Sequence, residues 1–130
     1  MARNPAMIQT EKIEVTTSGE DGSAAGSAVS ARALVGEVAA IYIDWAATAP
    51  GTSDIDVVCE SDDDHPEITL VGKDDSATDA WFYPTIEETD TAGTGRSSYR
   101  EIPISGSVKV TVAQCNALDP AVTVYVYVRS

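Results

Sequence analysis

The sequence has few cationic residues. Its 130 residues include 8 Lys and Arg against 21 Asp and Glu, which gives a formal net charge of −13. Such a surface repels the phosphate backbone of nucleic acids and the headgroups of anionic lipids. The composition therefore argues against direct binding to nucleic acid or to an anionic membrane. Two interpretations of the acidity remain open: self-repulsion that keeps the protein soluble, or adaptation to high salt, which screens that repulsion.

Long apolar runs are also missing. No stretch approaches the roughly 20 apolar residues with which a helix spans a bilayer. The first residues, MARNPAMIQT, lack the apolar segment of a secretion signal. We therefore expect synthesis in the cytoplasm and no membrane insertion. The length is that of one domain, because two ordinary domains need a longer chain.

Histidine and cysteine are too rare for the common catalytic and metal sites. The one histidine is His65, and Cys59 and Cys115 have no metal-site spacing. Nucleophilic catalysis needs a base beside the nucleophile and a third group that orients the base. Ser61 and Asp62 precede His65 within a single loop, which rarely builds such a triad. We therefore expect no enzyme activity, no metal and no cofactor. The cysteines fit two free, partly buried thiols, with one disulfide as the alternative.

The densest acidic segment is SDDDHPE, residues 61–67. Consecutive carboxylates can give several oxygen ligands to a hard cation. This segment nevertheless lacks the alternating acidic positions and the central glycine of a calcium loop. A solvated acidic loop is the favoured interpretation, and a weak cation site is the alternative.

Alternation of apolar and polar residues is the strongest pattern present, and it is clearest in residues 107–129, SVKVTVAQCNALDPAVTVYVYVR. Valine occupies every second position in two runs, and in the second run Tyr125 and Tyr127 fall on the opposite face. A period of two predicts two strands, each with a buried valine face, and a polar, aromatic outer face. We expect these strands to pair as a hairpin.

Further short strands are predicted along the chain. The longest apolar stretch, Val29–Trp45, fits two strands or one long bent strand, with Gly36 at a bend or bulge. Residues 81–87, WFYPTIE, fit one strand whose pairing is limited by Pro84. Short strands separated by turn signals predict an all-β fold, a single antiparallel sandwich or jelly roll of about eight strands. Residues 8–130 form this domain. Residues 1–7 fit an extended arm that orders against a partner, or a disordered terminus.

Aromatic residues suggest one further site. Trp45, Trp81, Phe82 and Tyr83 could line a platform on which sugar rings stack, and Trp81 and Tyr83 share a face if their segment is a strand. Aromatic residues at strand spacing more often fill a core. The core is therefore the favoured interpretation for these four residues.

Several segments together carry a family resemblance: VGEVAAIYIDWAATAPGTSDIDV (35–57), DAWFYP (79–84), YREIPISGSVKVTVAQ (99–114) and the closing AVTVYVYV. From about residue 8 to the end, the sequence resembles small β-sandwich virion proteins of tailed viruses of bacteria and archaea. The resemblance implies a capsid decoration or cement protein, which lies on the outer shell and reinforces contacts between major capsid subunits. It transfers no catalytic residues.

The resemblance also implies the partners, which are the major capsid protein and further copies of this chain. A trimer is the favoured assembly, because it matches the local symmetry of a capsid. A turret, neck or tail component and a carbohydrate-binding module are the alternatives. The candidate partner contacts are in the N-terminal arm and on the tyrosine face: Arg3, Pro5, Met7, Ile8, Tyr125 and Tyr127.

Overall fold

Strands are the only regular secondary structure among the described residues. The computed structural model describes residues 7–62 and 65–130. These residues form ten strands and no helix, so none of them belongs to a helix that could cross a membrane. The all-β prediction is confirmed, with more strands than expected. The strands are β1 (Ile8–Val15), β2 (Ala24–Val29), β3 (Leu34–Trp45), β4 (Asp54–Cys59), β5 (Ile68–Lys73), β6 (Ala80–Phe82), β7 (Thr85–Thr89), β8 (Gly95–Gly106), β9 (Val108–Cys115) and β10 (Val122–Arg129).

The strands form two antiparallel sheets. The large sheet has the order β1-β10-β3-β8-β7, and β6 pairs with the second half of β3. The small sheet has the order β2-β9-β4-β5. β1 lies beside β2 at one side of the molecule, and β4 lies beside β8 at the other. The two sheets therefore close into a sandwich with one core between them.

Alternate residues of both sheets fill this core. A fully buried valine contributes about 1.5–3 kcal/mol to stability before chain entropy is subtracted. The prediction of a buried valine face on each of β9 and β10 is confirmed, since each strand presents an apolar face to the core. The valines of these two strands that are completely buried are Val108, Val110, Val112, Val122, Val124, Val126 and Val128.

The predicted terminal hairpin is wrong. β9 pairs with β2 and β4 in the small sheet, whereas β10 pairs with β1 and β3 in the large sheet. Residues 116–121 cross from one sheet to the other. The two valine faces therefore oppose each other across the core instead of lying side by side in one sheet.

The Val29–Trp45 stretch contains the end of one strand and the whole of another. Val29 ends β2, and β3 runs unbroken through Gly36 to Trp45. The bulge falls at Ala39, between the residues that pair with Val128 and Tyr127. Gly36 has a φ of +143°, and a Cβ there would collide with the backbone carbonyl of Arg129. Gly36 is thus required by close backbone approach, and the bulge itself lies three residues later.

Residues 81–87 belong to two strands and not to one. β6 ends at Phe82 and pairs with β3, while β7 begins at Thr85 and pairs with β8. Tyr83 and Pro84 connect them. Residues 85–100, from β7 through the first half of β8, form a hairpin that we name the hairpin arm. Every residue of the hairpin arm is exposed.

Candidate functional site

Aromatic side chains gather on the outer face of the large sheet. They lie on β3, β6 and β10 and on the residue that follows β6. On β3 and β10 the tyrosines alternate with buried isoleucines and valines, which forces them outward. We name this surface the aromatic face; its members are Tyr42, Trp81, Tyr83, Tyr125 and Tyr127.

Trp81 is the centre of the aromatic face. Its ring centroid lies 4.8 Å from that of Tyr42 and 5.6 Å from that of Tyr127, both in tilted geometry. Tyr83 stacks on it at 6.4 Å with an interplanar angle of 12°. Strand register fixes these neighbours, because Tyr42 stands opposite Trp81 on β6 and opposite Tyr125 on β10. Packed aromatic pairs of this kind contribute about 0.5–1.5 kcal/mol each.

The aromatic face is only partly shielded from water. Trp81 is 50% exposed and Tyr83 is 66% exposed, whereas Tyr42, Tyr125 and Tyr127 are half-buried. Tryptophan and tyrosine are enriched in the cores of protein interfaces, where they dominate binding energy. The arrangement is thus a rigid, partly apolar surface suited to contact with another macromolecule.

Carboxylates border one end of this surface. The Asp79 carboxylate accepts a hydrogen bond of 2.7 Å from the backbone N–H of Trp45, which ties the chain before β6 to β3. Partial burial raises the pKa of Tyr42, and the negative charges of Asp79 and Asp44 raise it further. The Tyr42 phenol therefore stays protonated at neutral pH and can donate a hydrogen bond to a partner.

A cation borders the other side. Lys12 on β1 stands opposite Tyr125 and forms an ion pair of 3.0 Å with Glu14. This pair raises the pKa of Lys12. The aromatic face thus has an apolar centre and a charged rim, which is the usual anatomy of a protein interface.

The predicted contact residues fall in three places. Arg3 and Pro5 lie outside the described residues. Met7 is 66% exposed, and its carbonyl accepts a hydrogen bond of 2.9 Å from the N–H of Ser130. Ile8 begins β1 on the outer side of the large sheet and is 54% exposed. Tyr125 and Tyr127 are part of the aromatic face, so the structure brings those two together with Ile8 on one sheet surface.

The core interpretation of the aromatic residues holds for only half of them. Trp45 is 7% exposed and belongs to the core, and Phe82 is partly buried and packs against the core. For Trp81 and Tyr83 the core interpretation is wrong, because Trp81 on β6 and Tyr83 directly after it are both exposed. Tyr42 was missed altogether, although its position between Ile41 and Ile43 is the signal that places it outward.

His65 has a structural role. The ring of His65 contacts the carbonyl oxygens of Pro66 and Ser105, and its Nε2 lies 3.4 Å from the Asp62 carboxylate. These contacts hold His65 against the end of β8. Among residues 7–62 and 65–130, no three His, Cys, Asp or Glu side chains form a group that could hold a metal ion.

Both thiols are free, as the sequence predicted, and they are more deeply buried than the partial burial expected. Cys59 and Cys115 are free and fully enclosed in the core. Burial raises the pKa of Cys59, so its thiol remains protonated at neutral pH. A protonated, enclosed thiol is a poor nucleophile.

No protein family model and no curated protein matches this sequence.

Proposed function

We propose that this protein is a structural component of a virion, a decoration protein that binds the outer surface of the major capsid protein lattice and stabilises the head. The observation that carries the proposal is the aromatic face. Four of the five tyrosines and one of the two tryptophans lie on it. The sequence resemblance to virion proteins supports the same function.

The physical properties of the chain suit that position. A sheet holds its side chains rigidly, so little conformational entropy is lost when the aromatic face docks. An acidic protein on the outside of a shell has no contact with packaged nucleic acid, which its net charge of −13 would repel. Many copies bound to one lattice reinforce it collectively, even when each contact is modest.

The N-terminal segment is a second proposed contact. β1 is an edge strand of the large sheet and begins at Ile8, on the same outer surface as the aromatic face. The described chain therefore enters the domain through Met7 and Ile8, beside that face. Deletion of residues 1–7 should weaken attachment to particles while the domain still folds, and full occupancy after the deletion would refute a role for this segment.

Binding to capsids assembled without this protein tests the proposal directly. We expect saturable binding with a fixed ratio to the major capsid protein, and a higher melting temperature of the decorated particle. Trp81→Ala should weaken binding by at least about 30-fold, as expected for a central interface tryptophan.

Val29→Ala is the matched control for this experiment. It removes an apolar side chain of similar exposure, 48%, from the small sheet. Its affinity for capsids should equal that of the wild type. Equal binding by Trp81→Ala and the wild type would contradict docking through the aromatic face.

A carbohydrate-binding module is the second candidate, and one observation favours it. The rings of Trp81 and Tyr83 are nearly parallel and exposed, as in platforms that stack on sugar rings. Titration of a Trp45→Phe variant with sugars and polysaccharides would follow Trp81 fluorescence alone. Saturable quenching would support this function, and an unchanged spectrum would refute it for the sugars tested.

A further inference from the structure

The hairpin arm leaves the sandwich at the middle of the large sheet. β8 pairs with β3 only through its last residues, Ile102–Gly106, and beyond them β6 takes the place beside β3. The arm therefore continues outward from Glu101 with only its own two strands. At about 3.3 Å per residue, β7 alone extends about 17 Å from the body.

The hairpin arm has no core of its own. Isolated two-stranded hairpins are marginally stable in water. The turn is fixed by Asp90, whose Oδ1 accepts hydrogen bonds from the N–H groups of Ala92 and Thr94 at 2.9 and 3.0 Å. Ile86 and Tyr99 nevertheless leave 50% and 62% of their surface exposed. The arm would gain stability by packing these side chains against another surface.

The charge of the arm indicates what kind of surface that is. Arg100, at the base of the arm, pairs with Glu37 at 2.8 Å. Arg96, further out, forms no ion pair with any residue that the structure describes. In a chain with 21 acidic residues, a guanidinium without a carboxylate is a site for an acidic partner.

The chain itself carries such an acidic surface. Asp54 and Asp56 lie at the start of β4, and Asp74 and Asp75 follow β5 directly. These residues are neighbours, since the Asp54 carboxylate accepts a hydrogen bond of 3.0 Å from the N–H of Asp75. We name these four residues the acidic corner. They lie at the β4–β5 side of the small sheet, which is the side where β8 and the arm emerge from the large sheet.

We propose that the hairpin arm docks on the acidic corner of a second copy of this chain, with Arg96 facing the aspartates. Ile86 stands opposite Arg100 and Tyr99 stands opposite Glu87, so Ile86 and Tyr99 point to opposite faces of the arm and the contact buries one of the two. Because arm and corner lie on the same side of the sandwich, copies around one symmetry axis can each donate an arm and receive one. Such an assembly closes on itself. The inference does not depend on the proposed capsid function.

Direct pairing of two arms through their β7 edges is the obvious alternative geometry. An antiparallel β7–β7 pair centred on a two-fold axis would place Glu87 opposite Glu87 of the other copy, with Glu88 next to it on each strand. Like charges opposite each other destabilise a sheet. The charge of the arm therefore favours docking on the acidic corner.

Sedimentation velocity and light scattering over a concentration series test the proposal. We expect the wild type to form an oligomer whose mass is a small multiple of 13.6 kDa. Arg96→Glu should weaken self-association by at least about 30-fold, because it sets like charges against each other. Arg96→Glu combined with Asp56→Arg should restore association by reversing both partners.

Lys109→Glu is the matched control, because it makes the same change in net charge on the outer face of the small sheet. It should associate as the wild type does. Circular dichroism should show all variants folded, since the substituted side chains lie on the surface. A monomeric wild type at every concentration, an Arg96→Glu protein that associates normally, dissociation by Lys109→Glu, or a failed rescue would each overturn the proposal.

Discussion

The two tryptophans provide a direct comparison between a residue of the core and a residue of the candidate binding surface. Trp45 is 7% exposed and lies between the sheets, whereas Trp81 is 50% exposed on the outer face. Replacing each by alanine removes the same atoms from two different environments. We expect Trp45→Ala to impair folding and Trp81→Ala to impair binding.

The losses in free energy of unfolding expected for Trp45→Ala and Trp81→Ala differ by more than the error of a denaturation experiment. Trp45→Ala leaves a cavity in the core, which lowers the free energy of unfolding by about 3–5 kcal/mol. The whole free energy of unfolding of a 130-residue protein is about 6–20 kcal/mol, at about 0.05–0.15 kcal/mol per residue. Trp81→Ala removes contacts with three tyrosines, but these are half open to water, so we expect a loss of about 1–2 kcal/mol.

Urea denaturation followed by far-ultraviolet circular dichroism measures both values, because it does not depend on the tryptophan that was removed. The variants Trp45→Phe and Trp81→Phe supply the control, because each leaves one tryptophan. Trp45, which remains in Trp81→Phe, should emit at shorter wavelength than Trp81 in Trp45→Phe, and it should resist quenching by acrylamide. Equal losses of stability for the two alanine variants would refute the assignment of Trp81 to the surface.

Four further outcomes are expected. Val124→Asp should prevent folding, because it buries an unpaired charge in the core, while Tyr125→Ala should keep the native circular dichroism spectrum. Gly36→Ala should lower the melting temperature markedly, whereas Gly51→Ala, where a Cβ meets open space, should change it little. Burial raises the pKa of Cys59, so the thiol loses its proton at lower pH in the unfolded chain than in the folded one. The stability that the protonated thiol contributes is therefore complete below the ordinary thiol pKa of about 8.5, and it is lost as the pH rises through the folded-state pKa. The free energy of unfolding should thus fall more steeply above pH 8.5 in the wild type than in Cys59→Ala. If the acidity reflects adaptation to salt, removing salt should lower the melting temperature, and an unchanged value would exclude that adaptation.

The sequence predicts the fold wherever burial produces alternation. The valines of β9 and β10 and the isoleucines of β3 occupy every second position, and each of these strands lies where the pattern indicates. The partner of a strand is not encoded in the same way. Two valine faces meet equally well within one sheet or across a core, so alternation alone could not reject the terminal hairpin.

The surfaces were harder to predict because they lack that constraint. The hairpin arm buries neither face, so residues 85–100 contain no periodic signal that would predict two paired strands. For Trp81 and Tyr83 the core was favoured because aromatic residues at strand spacing more often fill a core. The sequence does not show which face of a short strand is covered. Tyr125 and Tyr127 were placed correctly because the buried valines beside them fix their direction.

The central claim is that this protein decorates a capsid, and the copy number per particle tests it most directly. Purified virions should be analysed by quantitative mass spectrometry, with the major capsid protein as internal standard. Hundreds of copies, in a fixed ratio to the major capsid protein and accessible to surface labelling, are the predicted result. About a dozen copies or fewer, as expected for a neck or tail component of low symmetry, or absence from the particle, would contradict the claim.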